Sequence, residues 1–210
     1  ATSATSDLAP PTLTTRRPTA SPYTTVTVFP TDDELTVVVA SGRQLLLASV
    51  ERRSVTQLLT PSPTEPVRCV AFCRATGLLA AAAGHSVVIF APSSEDDDTT
   101  QWQRHSELDH GEPVTCVAWP APQPGRPPML WVAGLTIALC SFSTSAGGWR
   151  VTWEREQAQP VRHMAASVHG ALLATAGVHD RLVKVWHPAA AAMASKDAYT
   201  RQKALSGPYE

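Results

Sequence analysis

Seven histidines and four cysteines are the side chains of this 210-residue chain best suited to ligate a metal or act as nucleophile and base. They are His85, His105, His110, His163, His169, His179 and His187, with Cys69, Cys73, Cys116 and Cys140. The densest group is His105, His110 and Cys116, yet its spacing matches no zinc motif and the cysteines form no C-x-x-C pair. His105 falls in a polar strand pattern and His110 in a loop, so no metal site is expected. Catalytic signatures are missing too: there is no G-x-S-x-G, H-E-x-x-H, G-x-x-x-x-G-K-[ST] or G-x-G-x-x-G. No residue is assigned as catalytic, cofactor-binding or metal-ligating, and the expectation is a non-enzymatic protein without cofactors.

The charge balance narrows the partners. Lys and Arg total 17 and Asp and Glu 18, a formal net charge of -1, so no field over the whole molecule draws in nucleic acid or an acidic membrane. Arginine outnumbers lysine 14 to 3, but the arginines are scattered singly. The run Glu95-Asp96-Asp97-Asp98 offers a contact for a basic partner or a cation, but reads first as a solvated turn. The cysteines act as small hydrophobes in apolar strands and are read as reduced. No Asn is present, and no apolar stretch reaches the ~20 residues of a membrane span. The expected location is the cytoplasm, with membranes reached only through partners.

The elements that position these residues repeat. Thr25 to Phe29, Arg68 to Phe72, Thr115 to Trp119 and Arg162 to Ala166 share a pattern; Phe72 to Trp119 and Trp119 to Ala166 are each 47 residues, and Phe29 to Phe72 is 43. Pro66-Val67, Pro113-Val114 and Pro160-Val161 lead into the three later copies. A second apolar strand follows in each, at Leu35 to Ala40, Leu78 to Ala83, Met129 to Ala133 and Leu172 to Ala176. After a turn come Gln44 to Ser49, Ser86 to Phe90, Thr136 to Phe142 and Leu182 to Trp186, with Phe90 and Phe142 set where the fourth copy has Trp186. More polar outer strands, Arg53 to Leu59, Trp102 to Leu108 and Trp149 to Arg155, complete the first three copies, while the fourth lacks one.

A period near 45 with four strands per unit, apolar inside and alternating outside, predicts an all-β propeller. About four blades are expected, at 23–60, 61–109, 110–159 and 160–188, as an incomplete part of a larger propeller. Residues 1–22 are rich in Thr, Ser and Pro and read as a disordered leader. The Pro-rich insertion Pro120 to Pro128 reads as spacer. Residues 189–210 are an Ala-rich tail or insertion, with a short helix expected.

Within the fourth unit, GALLATAGVHDRLVKVWHP from Gly170 to Pro188, the residues Thr175, Asp180 and Trp186 stand where a WD repeat places its corner-pinning hydrogen-bond chain. Glu156 to Gln159 supply no histidine for that chain. In the third unit Asp109-His110 occupies the Gly-His position, without the matching Asp and Trp. Thr175, Asp180, Trp186 and His110 are therefore the structural hallmarks expected to matter.

Trp149 to Pro188 as a whole resembles a WD repeat near the N-terminus of the DmX-like proteins, the family of the rabconnectin alpha subunits and the large subunit of the fungal RAVE complex. Trp149 and Trp153, Pro160-Val161, Met164, Ser167, Gly170, Ala174-Thr175, Gly177, Asp180 and Leu182 to Trp186 with Pro188 carry the resemblance. It implies a WD-repeat scaffold that promotes assembly of the peripheral and membrane sectors of the vacuolar proton-pumping ATPase, and so organelle acidification. The partners it implies are peripheral-sector ATPase subunits and co-subunits of the RAVE or rabconnectin type. A generic WD adaptor in ubiquitin ligation, trafficking or transcription is the alternative reading.

Overall fold

Along Leu35–Ser41 the side chains of Thr36, Val38 and Ala40 are buried while their neighbours are not, the period of a strand covered on one face. Leu78–Ala83 behaves differently, with five consecutive residues buried, as a strand covered on both faces must be. That contrast locates the second unit inside and the first at an end. A computed structural model describes residues 23–30, 35–93, 101–122, 125–167, 172–177, 179 and 182–187.

Among these residues fifteen strands form four antiparallel sheets, each a meander in chain order. The first sheet holds β1 (Tyr23–Pro30), β2 (Leu35–Ser41), β3 (Gln44–Ser49) and β4 (Ser54–Leu59). The second holds β5 (Val67–Cys73), β6 (Leu78–Ala83), β7 (Ser86–Ser93) and β8 (Gln101–Asp109). β9 (Cys116–Ala118), β10 (Met129–Ala133), β11 (Thr136–Ser143) and β12 (Gly148–Glu156) make the third. The fourth has β13 (Val161–Ala166), β14 (Leu173–Gly177) and β15 (Val183–Trp186). The leader 1–22, the acidic run at 95–98 and the tail 189–210 lie outside the described residues. Among those described, no helix is long and apolar enough to cross a membrane.

The sheets stack face to face as blades. Val38, Ala40, Leu45 and Leu47 of the first meet Leu79, Ala81, Val88 and Phe90 of the second. The opposite face of the second, Ala80, Ala82, Val87 and Ile89, packs on Leu130, Val132, Ala138 and Cys140 of the third. The third presents Trp131, Ala133, Ile137 and Leu139 to Val161 and Leu173 of the fourth. Each fully buried Leu, Ile or Val adds about 1.5–3 kcal/mol, so these seams are the principal source of stability.

Tight hairpins set the register inside a blade. Ser41 pairs with Gln44 and Ala83 with Ser86, leaving two-residue turns led by Gly42 and Gly84 at φ 58° and 61°. Only glycine adopts that conformation without strain, and the turn it makes matches the strand twist.

Two expected equivalences are corrected by the register. Phe29 pairs with Thr36 and faces the second blade, the position Cys73 holds one blade later, whereas Phe72 pairs with Leu79 and faces back to the first. The two rings are partners across one seam, stacked with centroids 3.7 Å apart, and not copies of one position. Both strands carry the same irregularity, at Tyr23/Thr25 and at Val67/Cys69, so equivalent positions stay 44 residues apart, as Phe29 and Cys73 are; the two rings are 43 apart, and one residue of slip reverses the face. Likewise Trp186 pairs with Leu173 and Phe90 with Leu79, but in the third blade Leu130 pairs with Cys140, so Cys140 and not Phe142 holds the Trp186 position. Phe142 sits two residues further on, opposite Trp149.

The outward faces of the end blades are apolar. Val26, Val28, Val55 and Leu58 on the first sheet and Val183 and Val185 on the fourth are each more than half exposed, on the sides turned from their neighbours. The 210-residue chain expressed alone is therefore expected to self-associate, and Val183→Thr with Val185→Thr to weaken the association. Light scattering across a wide concentration range checks this; a monomer at every concentration would contradict it.

Candidate functional site

His110 sits at the end of its blade where the turn between the second and third strands meets the linker from the preceding blade, while Thr175 and Trp186 lie within β14 and at the far end of β15. Proline lacks an amide hydrogen, so in each Pro-Val pair the valine supplies the first available donor. Val67 donates to the Gly42 carbonyl at 2.7 Å, Val114 to Gly84 at 2.8 Å and Val161 to Gly134 at 3.0 Å. Every latch ties a blade to the turn of the one before it. Gly134 has no room for a side chain, since a Cβ there would stand 2.3 Å from the Pro113 oxygen.

His110 lies in this region of the third blade, its side chain only 5% exposed. Its backbone N–H donates to the His85 carbonyl at 2.9 Å. Ring Nε2 lies 3.3 Å from the Thr136 oxygen and 3.4 Å from Glu112 Oε1. Both neighbours are acceptors, so Nε2 carries the proton. Glu112 Oε1 in turn accepts the Thr136 amide. The carboxylate reaches the turn from the linker, and so a histidine-acid corner forms without an Asp in the turn.

The fourth blade builds the other half of the chain. Trp186 Nε1 donates to Thr175 Oγ1 at 2.9 Å, and Thr175 is buried. Trp186 meets Trp153 edge-on at 6.2 Å, and Trp153 meets Trp131 at 5.5 Å, an aromatic row along the seam. Asp180 lies outside the described residues. In place of the missing histidine, Gln159 Oε1 accepts the His179 amide at 3.0 Å, and Lys184 donates to Gln157 at 3.4 Å.

Sequence reasoning missed Glu65, Glu112 and Gln159, which stand 47 residues apart directly before each Pro-Val. That spacing was the available signal. The dense group of His105, His110 and Cys116 is dispersed: His105 is exposed against Ser106 and Phe142, while Cys116 Sγ lies 2.9 Å from the Arg162 carbonyl. Among the described residues no three His, Cys, Asp or Glu side chains come together to hold a metal.

What remains on this rim is a contact surface. Arg43, His85, Asp109, Leu135 and His179 are exposed around the buried corners, and a shallow depression beside them is lined by Thr136, Glu154, Arg155 and Glu156. Mixed charge around one exposed Leu135, on a backbone pinned from beneath, suits a protein partner.

The comparisons agree with this architecture. Residues 151–187 match the family described as WD domain, G-beta repeat. A chain of the structure described as "Crystal Structure of Mitotic Checkpoint Complex" superposes with a TM-score of 0.58 at 18% identity, over 72% of this chain and 45% of that one. This chain thus spans less than half the length of that one. No curated protein matches the sequence. The fold is a WD-repeat β-propeller arrangement of four blades, an architecture that serves as a protein-interaction scaffold.

The corner bonds are testable one at a time. Trp186→Phe keeps the ring and removes the donor, and is expected to cost about 1 kcal/mol; Thr175→Val should cost a similar amount, and the double variant less than the sum. Additive losses in chemical denaturation would separate the two residues. Gly134→Ala is expected to lower the melting temperature more than Gly147→Ala, whose Cβ would meet nothing within 4 Å although its φ of 63° still carries backbone strain.

Proposed function

We propose that this propeller is a non-enzymatic scaffold that promotes assembly of the vacuolar proton-pumping ATPase, and through it the acidification of vacuoles and endosomes. The observation that carries the reading is the run Trp149 to Pro188, with its paired tryptophans, Pro160-Val161 and the Lys184-Val185-Trp186-His187-Pro188 ending, which resembles the DmX-like proteins. The rim supports the general role: a pinned backbone with exposed Leu135 and mixed charge can hold a partner without chemistry. A rigid stack of blades offers several surfaces at once, so two ATPase sectors bound together meet at raised effective concentration. Its place in this reading is the cytoplasm, at vacuolar or endosomal membranes only through its partners, which are peripheral-sector subunits and co-subunits of the RAVE or rabconnectin type. A generic adaptor is the second reading, favoured by the breadth of the fold, since 644 chains of known structure match it.

Affinity purification of the native protein from cell extract, read by mass spectrometry, tests both. Recovery of peripheral-sector ATPase subunits, reduced by Leu135→Asp, is the expected result. Ligase, coat or transcription components without pump subunits would replace the assembly reading with the adaptor.

A further inference from the structure

Among the described residues the fourth sheet ends at β15, with three strands where each of the other sheets has four. An open strand edge is a template for another strand. The three complete blades show what the outermost strand of a blade carries. One of its residues reaches across the seam to an aromatic residue, the second of the next outer strand. Gln57 of β4 bonds the backbone of Trp102 in β8 twice, donating to its carbonyl and accepting from its N–H, both at 2.8 Å. Trp149 of β12 donates through Nε1 to Ser106 Oγ of β8 at 3.0 Å. Gln57, Ser106 and Trp153 hold one register position, opposite Leu47, Ile89 and Leu139, the fourth residue of each third strand. Trp153 accordingly faces the fourth blade, where it meets Trp186 edge-on at 6.2 Å.

The sequence after β15 repeats that of the second blade. Phe90 and Pro92 recur as Trp186 and Pro188, and by register Phe90 and Trp186 are equivalent, opposite Leu79 and Leu173. Trp102, Arg104 and Leu108 of β8 recur as Tyr199, Arg201 and Leu205: an aromatic, an arginine two residues on and a leucine six on. Trp102 follows Phe90 by 12 residues and Tyr199 follows Trp186 by 13, so the chain has the same length in which to turn back.

We propose that Tyr199 to Leu205, from the tail of this same chain, is the outer strand of the fourth blade, added antiparallel to the edge of β15. Carried over from the second blade, the register sets Leu205 opposite Val183, Lys203 opposite Val185 and Arg201 opposite Trp186. Leu205 and the aliphatic stem of Lys203 then cover part of a valine pair that is otherwise more than half exposed. Tyr199 lies against Trp153, adding a ring to the row of Trp131, Trp153 and Trp186. The helix expected within 189–210 is confined to the alanines before this strand. With its edge filled from within, the fourth blade meets partners through its faces and rims.

Hydrogen exchange of the unaltered 210-residue chain in dilute solution, read by mass spectrometry, tests this. The peptide covering 199–205 is expected to exchange as slowly as the one covering Trp102 to Leu108, and exchange at the rate of unstructured chain would overturn the proposal. Tyr199→Ala with Leu205→Asp should abolish the protection of 199–205 and leave that of the second blade unchanged. A second variant asks whose strand it is. Val183→Cys with Leu205→Cys, treated with a short bismaleimide in a mixture of unlabelled and isotope-labelled chains, should give a 183–205 linkage within chains of one label. No such linkage, or one joining an unlabelled to a labelled chain, would overturn it.

Discussion

The bond from a valine amide to a glycine carbonyl is the constraint on which the blades depend. A sheet fixes the relation of its own strands, but nothing within a sheet fixes where the next one sits. Val67, Val114 and Val161 supply that information by bonding to Gly42, Gly84 and Gly134. The residues around each bond serve it. Proline holds the linker extended and removes a competing donor, and glycine leaves the space through which the linker passes. At Gly84 a Cβ would stand 2.6 Å from Glu65 Cγ, as at Gly134 it would strike the Pro113 carbonyl.

Above the latches, the corner hydrogen bonds are divided between blades. The third has a histidine and an acid but fills the Ser/Thr and Trp positions with Val132 and Cys140; the fourth has Thr175 and Trp186 but glutamines where the histidine corner would stand. Each blade satisfies its own turn with the polar groups it has, which is the requirement that buried polar atoms impose. Among the described residues one side chain escapes it: Trp131 Nε1 is buried without an acceptor. The seam there is held by ring packing with Trp153, and the indole is retained for its volume despite the unmet donor.

Strand positions were legible because burial on one face or two writes itself directly into apolar pattern, as in Leu35–Ser41 and Leu78–Ala83. Facing was less legible. The assignment of Phe29 to Phe72, and of Phe142 to Trp186, matched rings by type, but the first pair is one residue off the blade-to-blade offset, and the hairpin from Ala133 to Ile137 is shorter than that from Ala176 to Val183. The corner was half legible. His110 and Thr175 announce themselves by type, whereas Glu112 and Gln159 look like surface residues until their side-chain oxygens are seen accepting the turn amides.

The latches all point one way, each from a later blade to the turn of an earlier one. During synthesis the acceptor is therefore complete before its donor leaves the ribosome. Gly42 has already closed its hairpin when Val67 emerges, and Gly84 when Val114 does, so every new blade docks onto a finished template. A permuted chain that began at the third blade would reverse this order at that blade's seam with the second, leaving the Val114 amide to wait for an acceptor turn not yet made.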